Sequence, residues 1–194
     1  MPVIVVKVSG SLFDHPHLGP GLNHYLDPLL RAGPVWLIPG GGRFTDAVRD
    51  YDRIHHLGDE ATHWLALRSL SVSALFLSAF LKRDGLTILD CYDFALADDG
   101  CPCSLPYSWS VTSDSIAARA AVVGGASRLV LLKSVDVPPD TPWDEAAAHG
   151  WVDPHFPAVA HGLTAEVVNF RRWLDEYGSP LPPGLDSFHD PHQK

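Results

Sequence analysis

Two lysines stand where an ammonium group has little reason to be. Lys7 lies at the end of the apolar run VIVVKV, and Lys133 closes RLVLLK. Lysine is scarce in this chain, the remaining ones being Lys82 and Lys194. Both runs are short and continuously apolar, which predicts buried strands. An ammonium buried without a partner is expensive. Each lysine should therefore face a crevice and meet an anion, or else snorkel past the sheet edge to water. Two of them, both at strand ends, favour the crevice, because ligands of open parallel sheets bind outside the carboxyl ends of the strands.

Small residues gather at the same edge. Gly40, Gly41 and Gly42 follow the run VWLIP and precede a helical pattern. A helix N-terminus offers unpaired N–H groups and a favourable dipole to an anion, although a tight strand-to-helix turn uses glycine too. The spacing is neither GxGxxG nor GxxxxGK[ST], so neither a dinucleotide fold nor a P-loop is indicated. Ser9, Gly10 and Ser11 form a second small-residue loop after the first strand. Two phosphate-sized loops side by side suggest two phosphoryl groups. Asp114, in VTSDS, opens a helix capped by Thr112 or Ser113. It either complements the helix dipole or, set between two lysine-bearing strands, orders both flexible ammonium groups.

These residues need a scaffold that brings strand ends together. Helices are expected over Leu18–Arg31, Thr45–Arg53, Asp59–Arg83 and from Thr112 to the glycines at 124–125. Strands are expected in PVIVVKV, PVWLIP, LTILD and RLVLLK, while EVVNF reads as a short strand or as the start of a last helix ending near Tyr177. Residues Asp98 to Tyr107 read as an irregular loop. Apolar strands alternating with helices predict an α/β fold, a parallel sheet covered on both faces with right-handed crossovers. No linker divides the chain, so one domain is expected over 1–178, with a loose tail over 179–194 rich in Pro, Asp and His.

The composition narrows the function. Of 194 residues 46% are apolar, enough for a sizeable core. A net charge of −9 argues against nucleic acid or an anionic membrane as partner, while a few local cations still suffice for a small phosphorylated substrate. The longest apolar stretch, Leu70 to Leu81, is too short to span a bilayer. The N-terminus reads directly into a strand, which predicts a cytoplasmic protein. Cys91, Cys101 and Cys103 fit free thiols better than a disulfide frame or zinc site, and no metal site is expected.

Four stretches in order, VVKVSGS, LIPGGGRF, VTSDSIAARAA and LVLLKSVD, resemble the motifs of the amino acid kinase family over roughly residues 3 to 137. The resemblance implies a three-layer α/β/α sandwich with a mainly parallel central sheet, and phosphoryl transfer from ATP with Mg²⁺. It implies that Lys7 spans donor and acceptor phosphates, and that Asp114 orients Lys7 and Lys133. Gly10, Ser11, Gly40, Gly41, Gly42 and Ser113 would then contact nucleotide or phosphate. The stretch GGGRFTDAVRDYDRIHHLGDEATHWLAL further resembles the family's small kinases of methanofuran-type cofactor biosynthesis. Those phosphorylate an aminomethylfuran-methyl phosphate to its diphosphate. This likeness makes Asp52, Asp59 and His63 acceptor-binding candidates. Alternatively Asp59 caps its helix, Asp52 pairs with a nearby Arg, and His63, one turn beyond Asp59, simply holds it.

The chain departs from the family in three places. Ser9-Gly10 stands where two glycines usually precede the serine, and VDVP stands for VDGV. The second catalytic lysine that many members carry late in the chain has no counterpart but Lys194. Lys133 would have to take over its charge; otherwise the chain is an impaired, kinase-fold subunit that binds nucleotide or phosphate. A kinase directed at carboxylates is disfavoured by the acidic stretch Asp46 to Glu60. A homo-oligomer is also expected; the apolar helix Asp59–Arg83 fits its interface, and core packing explains that helix equally well.

Overall fold

A computed structural model describes residues 2–178. Five parallel strands form one sheet in the order β3-β2-β1-β4-β5. They are β1 (Ile4–Val8), β2 (Val35–Pro39), β3 (Leu86–Ile88), β4 (Arg128–Lys133) and β5 (Ala165–Asn169). Helices α1 (Leu18–Ala32), α2 (Gly42–His55), α3 (Asp59–Ser78), α4 (Cys91–Asp98), α5 (Ser113–Val123), α6 (Trp143–Ala148), α7 (Phe156–Val159) and α8 (Phe170–Gly178) fill the connections. The expected tail over 179–194, with Lys194, lies outside the described residues.

The central strands are apolar on both faces because both are covered. Alternation along β1 sends Ile4, Val6 and Val8 into one core, with Leu22 and Leu26 of α1 and Leu174 of α8. Val5 enters the opposite core, with Leu129 and Leu131 of β4, Ala117 and Ala121 of α5, and Phe156 of α7. The same period of two places Lys7 and Lys133 on the α5 side. Lys7 pairs in register with Leu131 and Val8 with Leu132, so Lys133 stands one step diagonally beyond Lys7 on the adjacent strand. Strand register therefore fixes the spacing of the two stems that carry the ammonium groups.

Several boundaries differ from the sequence expectation. α2 starts at Gly42 rather than Thr45, and α3 ends at Ser78 rather than Arg83. EVVNF resolves into a strand, β5, with α8 beginning at Phe170. LTILD is cut short at Ile88, because Asp90 caps α4 by accepting from Tyr92 N and Asp93 N. Among the described residues, no helix is long and apolar enough to cross a membrane.

Candidate functional site

The carboxyl edge of β1 and β4 holds an ion cluster. Lys7 Nζ lies 2.7 Å from Asp114 Oδ1, and Lys133 Nζ donates to Asp114 Oδ2 at 2.5 Å. Lys7 also donates to Ser9 Oγ at 2.8 Å. All three charged residues are at most 8% exposed. Asp114 reaches them from the first turn of α5, whose N-cap is Thr112: the Thr112 hydroxyl accepts from Asp114 N at 3.3 Å. Burial alone would raise the Asp114 carboxyl, yet the two ammonium groups hold it below the usual carboxylate value. Lys133 is lowered to about 8, first by burial and then by the charge of Lys7, with Asp114 opposing both. Two cations share the carboxylate of Asp114, so N–H donors of both ammonium groups remain for an incoming anion.

The two small-residue loops meet next to this cluster. An ideal Cβ on Gly10 would lie 2.0 Å from the Gly42 nitrogen, so only glycine permits the backbones to touch. Gly42 has φ +54°, a region that glycine enters without strain. Gly40 N donates to Val8 O at 2.7 Å and closes the junction. Glycine thus serves the close approach of two chains. The first turn of α2 behind it carries no side-chain cap, so its N–H groups and its dipole are presented outward. The α3 serines fix this turn: Ser73 Oγ donates to Gly41 O at 3.3 Å, and Ser69 Oγ lies 2.5 Å from Thr45 Oγ1. Ser11 Oγ lies 2.9 Å from Ser134 Oγ and so links the β1 and β4 loops.

A cavity of about 230 Å³ opens beside the glycines. Gly41, Gly42, Asp46, Asp59, His63 and Ser113, the last adjacent in the chain to Asp114, line it. Leu67, Leu70 and Ile116 supply apolar lining, while Trp109 comes from the segment before α5. Burial lowers His63, which favours its neutral form, although Asp99 opposes this. His63 stacks on Tyr107 with centroids 4.4 Å apart. Arg49 lies over the Trp109 ring at 4.9 Å.

The structure brings Lys7, Asp114 and Lys133 together, and joins Gly10 to Gly40–Gly42. Ser113, Asp59 and His63 reach the cavity. Asp59 is inside α3 and the N-cap is Gly58. Asp52 is not among the cavity walls. Its Oδ1 accepts from Leu57 N at 3.1 Å and its Oδ2 from Trp109 Nε1 at 3.0 Å, so it ties the Trp109 segment to the α2–α3 corner. Sequence reasoning missed Asp46, Trp109, the α3 serines and the buried Asp153. The period of Ser69 and Ser73, one turn apart on a largely apolar helix, is the one signal that pointed to any of them.

Comparison with solved structures finds the same architecture. Uridylate kinase from Archaeoglobus fulgidus superposes with a TM-score of 0.61 at 11% identity, covering 90% of this chain and 96% of that one. UMP kinase from Ureaplasma parvum gives 0.56 at 16% identity, over 87% and 89%. This is the amino acid kinase fold. Within that fold, one curated relative matches by sequence: the [5-(aminomethyl)furan-3-yl]methyl phosphate kinase of Methanocaldococcus jannaschii, 24% identical over 148 residues. The match takes in 68% of this chain and 66% of the relative, just under two thirds of its length. No family model matches the sequence.

Proposed function

We propose that the chain transfers the γ-phosphoryl group of ATP to a small phosphorylated acceptor. The observation that carries this reading is the pair of buried lysines sharing Asp114 at the strand ends, next to the bare N-terminus of α2. Phosphoryl transfer asks a protein mainly for positioning and charge stabilisation. An oxygen of the acceptor phosphate attacks the γ-phosphorus, and the bond from that phosphorus to the β–γ bridging oxygen breaks. The electron pair leaves on ADP, and the acceptor becomes a diphosphate. The attacking group is already an anion, so no general base is required. Lys7 lies between donor and acceptor sides and neutralises charge on the transferring oxygens. Lys133, at the end of β4, supplies the second cation in place of a lysine late in the chain. Gly10, Ser11 and the N–H groups of Gly41 and Gly42 hold phosphate oxygens. Mg²⁺ arrives with ATP as part of the substrate.

The acceptor we favour is an aminomethylfuran-methyl phosphate. The relative from Methanocaldococcus jannaschii acts on such a compound by name, and the cavity suits its parts. The phosphate would sit against Gly41, Gly42 and Thr45, the flat ring between Leu67 and Trp109, and the ammonium near Asp59 and Asp46. His63, with burial favouring its neutral form, adds polarity without opposing a cation. Asp52 acts on this pocket through Trp109. Leu65, Val72 and Leu75, exposed along α3, support self-association through that helix. The test is ADP release with MgATP and a panel of acceptors: the furan phosphate, UMP, isopentenyl phosphate and glutamate. Turnover on the furan phosphate is expected. Turnover on another panel member would overturn the acceptor, and ATP binding without turnover on any would favour a binding subunit.

A further inference from the structure

One buried carboxylate has no role in the account above. Asp153 lies between α6 and α7 and is 5% exposed. Its Oδ2 accepts from Thr112 N at 2.9 Å, Thr112 Oγ1 at 2.8 Å and Ser115 N at 3.0 Å. Its Oδ1 accepts from Ser115 Oγ at 2.5 Å, His155 N at 3.1 Å and Phe156 N at 2.9 Å. A carboxylate has about four lone-pair sites. These six donors saturate it and leave no capacity for a ligand.

The places of its partners in the chain decide what Asp153 does. Thr112 and Ser115 lie on either side of Asp114, at the N-cap and in the first turn of α5. Gripping both sets the rotation of that turn about the helix axis, and the rotation aims Asp114 at β1 and β4. The lysines cannot do this themselves, since they reach Asp114 from two strands on flexible stems. Asp153 also acts through space, because its charge favours the cationic form of Lys133. The other charged groups facing Lys133 are Lys7 from β1 and Asp114 from α5. On the remaining neighbours, β5 and α8, Glu166 pairs with Arg128, Arg171 with Asp14 and Arg172 with Asp136.

We propose that Asp153 is the positioning residue of the phosphoryl-transfer site: by holding Thr112 and Ser115 it sets Asp114 between Lys7 and Lys133. The catalytic consequence rests on the kinase reading, whereas the effect on Lys133 does not.

The test combines NMR titration of ¹³Cε-labelled lysines in the unliganded chain, where few lysines make assignment direct, with steady-state kinetics. Asp153→Asn keeps the shape but turns an amide NH₂ toward donors and removes the charge. It should lower the Lys133 midpoint by about half a pH unit or more. It should also lower kcat about tenfold or more with acceptor KM within about threefold, and move the alkaline limb of the pH profile down. An unchanged Lys133 midpoint, or activity lost only in proportion to unfolded protein at every pH, overturns the proposal. If the native chain turns over no acceptor, the kinase reading fails while the NMR arm still decides the effect on Lys133. Ser115→Ala is the second variant, and it decides the matter should the Asn protein not fold. It leaves Asp153 charged but frees one side of the α5 turn, and should lower kcat severalfold while moving the Lys133 midpoint less than Asp153→Asn does. Native kcat in that variant would contradict the positioning role.

Discussion

At the lysine edge, Lys7 and Lys133 leave strand ends and Asp114 leaves the first turn of a helix. In the neighbouring cavity the walls come from α2, α3, the start of α5 and the stretch before it, which has no regular structure. The contrast extends to solvent. Lys7, Asp114 and Lys133 are nearly inaccessible, whereas the side chains of Arg49 and Asp46 are 48% and 63% exposed. Three charges locked by strand register and a capped helix cannot adjust to different ligands. A wall of exposed ion pairs and stacked rings can. We read the first region as the reaction centre and the second as the place where the acceptor is selected. Substitutions should therefore separate into those that abolish turnover or folding and those that shift preference.

The largest effect is expected from Asp114→Ala, which leaves two buried ammonium groups unpaired and repelling one another. Breaking a buried pair in this way costs about 3–5 kcal/mol, to be read by urea unfolding. A loss below 1 kcal/mol would mean that the cluster is wetter and looser than its geometry. Lys7→Ala comes next. Lys133 still pairs with Asp114, so the fold should persist while kcat falls by about 10²–10³-fold, the loss expected when one transition-state donor is removed. A kcat near native would move the reaction centre elsewhere.

The pH dependence sharpens the comparison, because function and stability respond to Lys133 with opposite sign. Its folded value, about 8, lies below that of an unfolded chain. With Lys133 in its proposed phosphate-binding role, kcat/KM should fall as pH rises through about 8 in the free enzyme. In the complex, phosphate favours the charged form, and the fall in kcat should come at higher pH. Stability runs the other way. Between the folded and unfolded values the unfolded chain holds more protons, so this group makes folding more favourable as pH rises through that window. Parallel alkaline losses of activity and of this group's stability contribution would contradict the assignment.

The smallest effect belongs to the cavity. Asp59→Asn should raise the KM of an ammonium-bearing acceptor about two- to fivefold, as expected for a partly exposed ion pair, and leave kcat alone. If kcat falls instead, the wall takes part in chemistry and the division between the regions fails.

The same division explains what could be read from the sequence. Lys7 and Lys133 were visible because a charged residue closing an apolar run conflicts with burial, and a period of two then places both on one face. The glycines were visible for a reason that proved double: they allow Gly10 and Gly42 to touch, and they leave the α2 terminus bare. Asp153 was not visible. Before a proline, WVDP reads as a turn, and its partners Thr112 and Ser115 lie about forty residues earlier in the chain. Asp90 was assigned to a strand although it caps α4, since an acid closing an apolar run fits either role until the next turn is built. Asp52 and Trp109 meet across the α2–α3 corner, a contact that no local pattern encodes. The lysine edge follows from local rules applied to strand ends. The cavity wall depends on tertiary contacts between surfaces.

The most direct test of the central claim follows the label from γ-³²P-ATP in a single turnover with the furan phosphate as acceptor. Label is expected in the diphosphate product with the native chain, and almost none with Lys7→Ala. Equal transfer by both proteins, or label released only as inorganic phosphate, would contradict it.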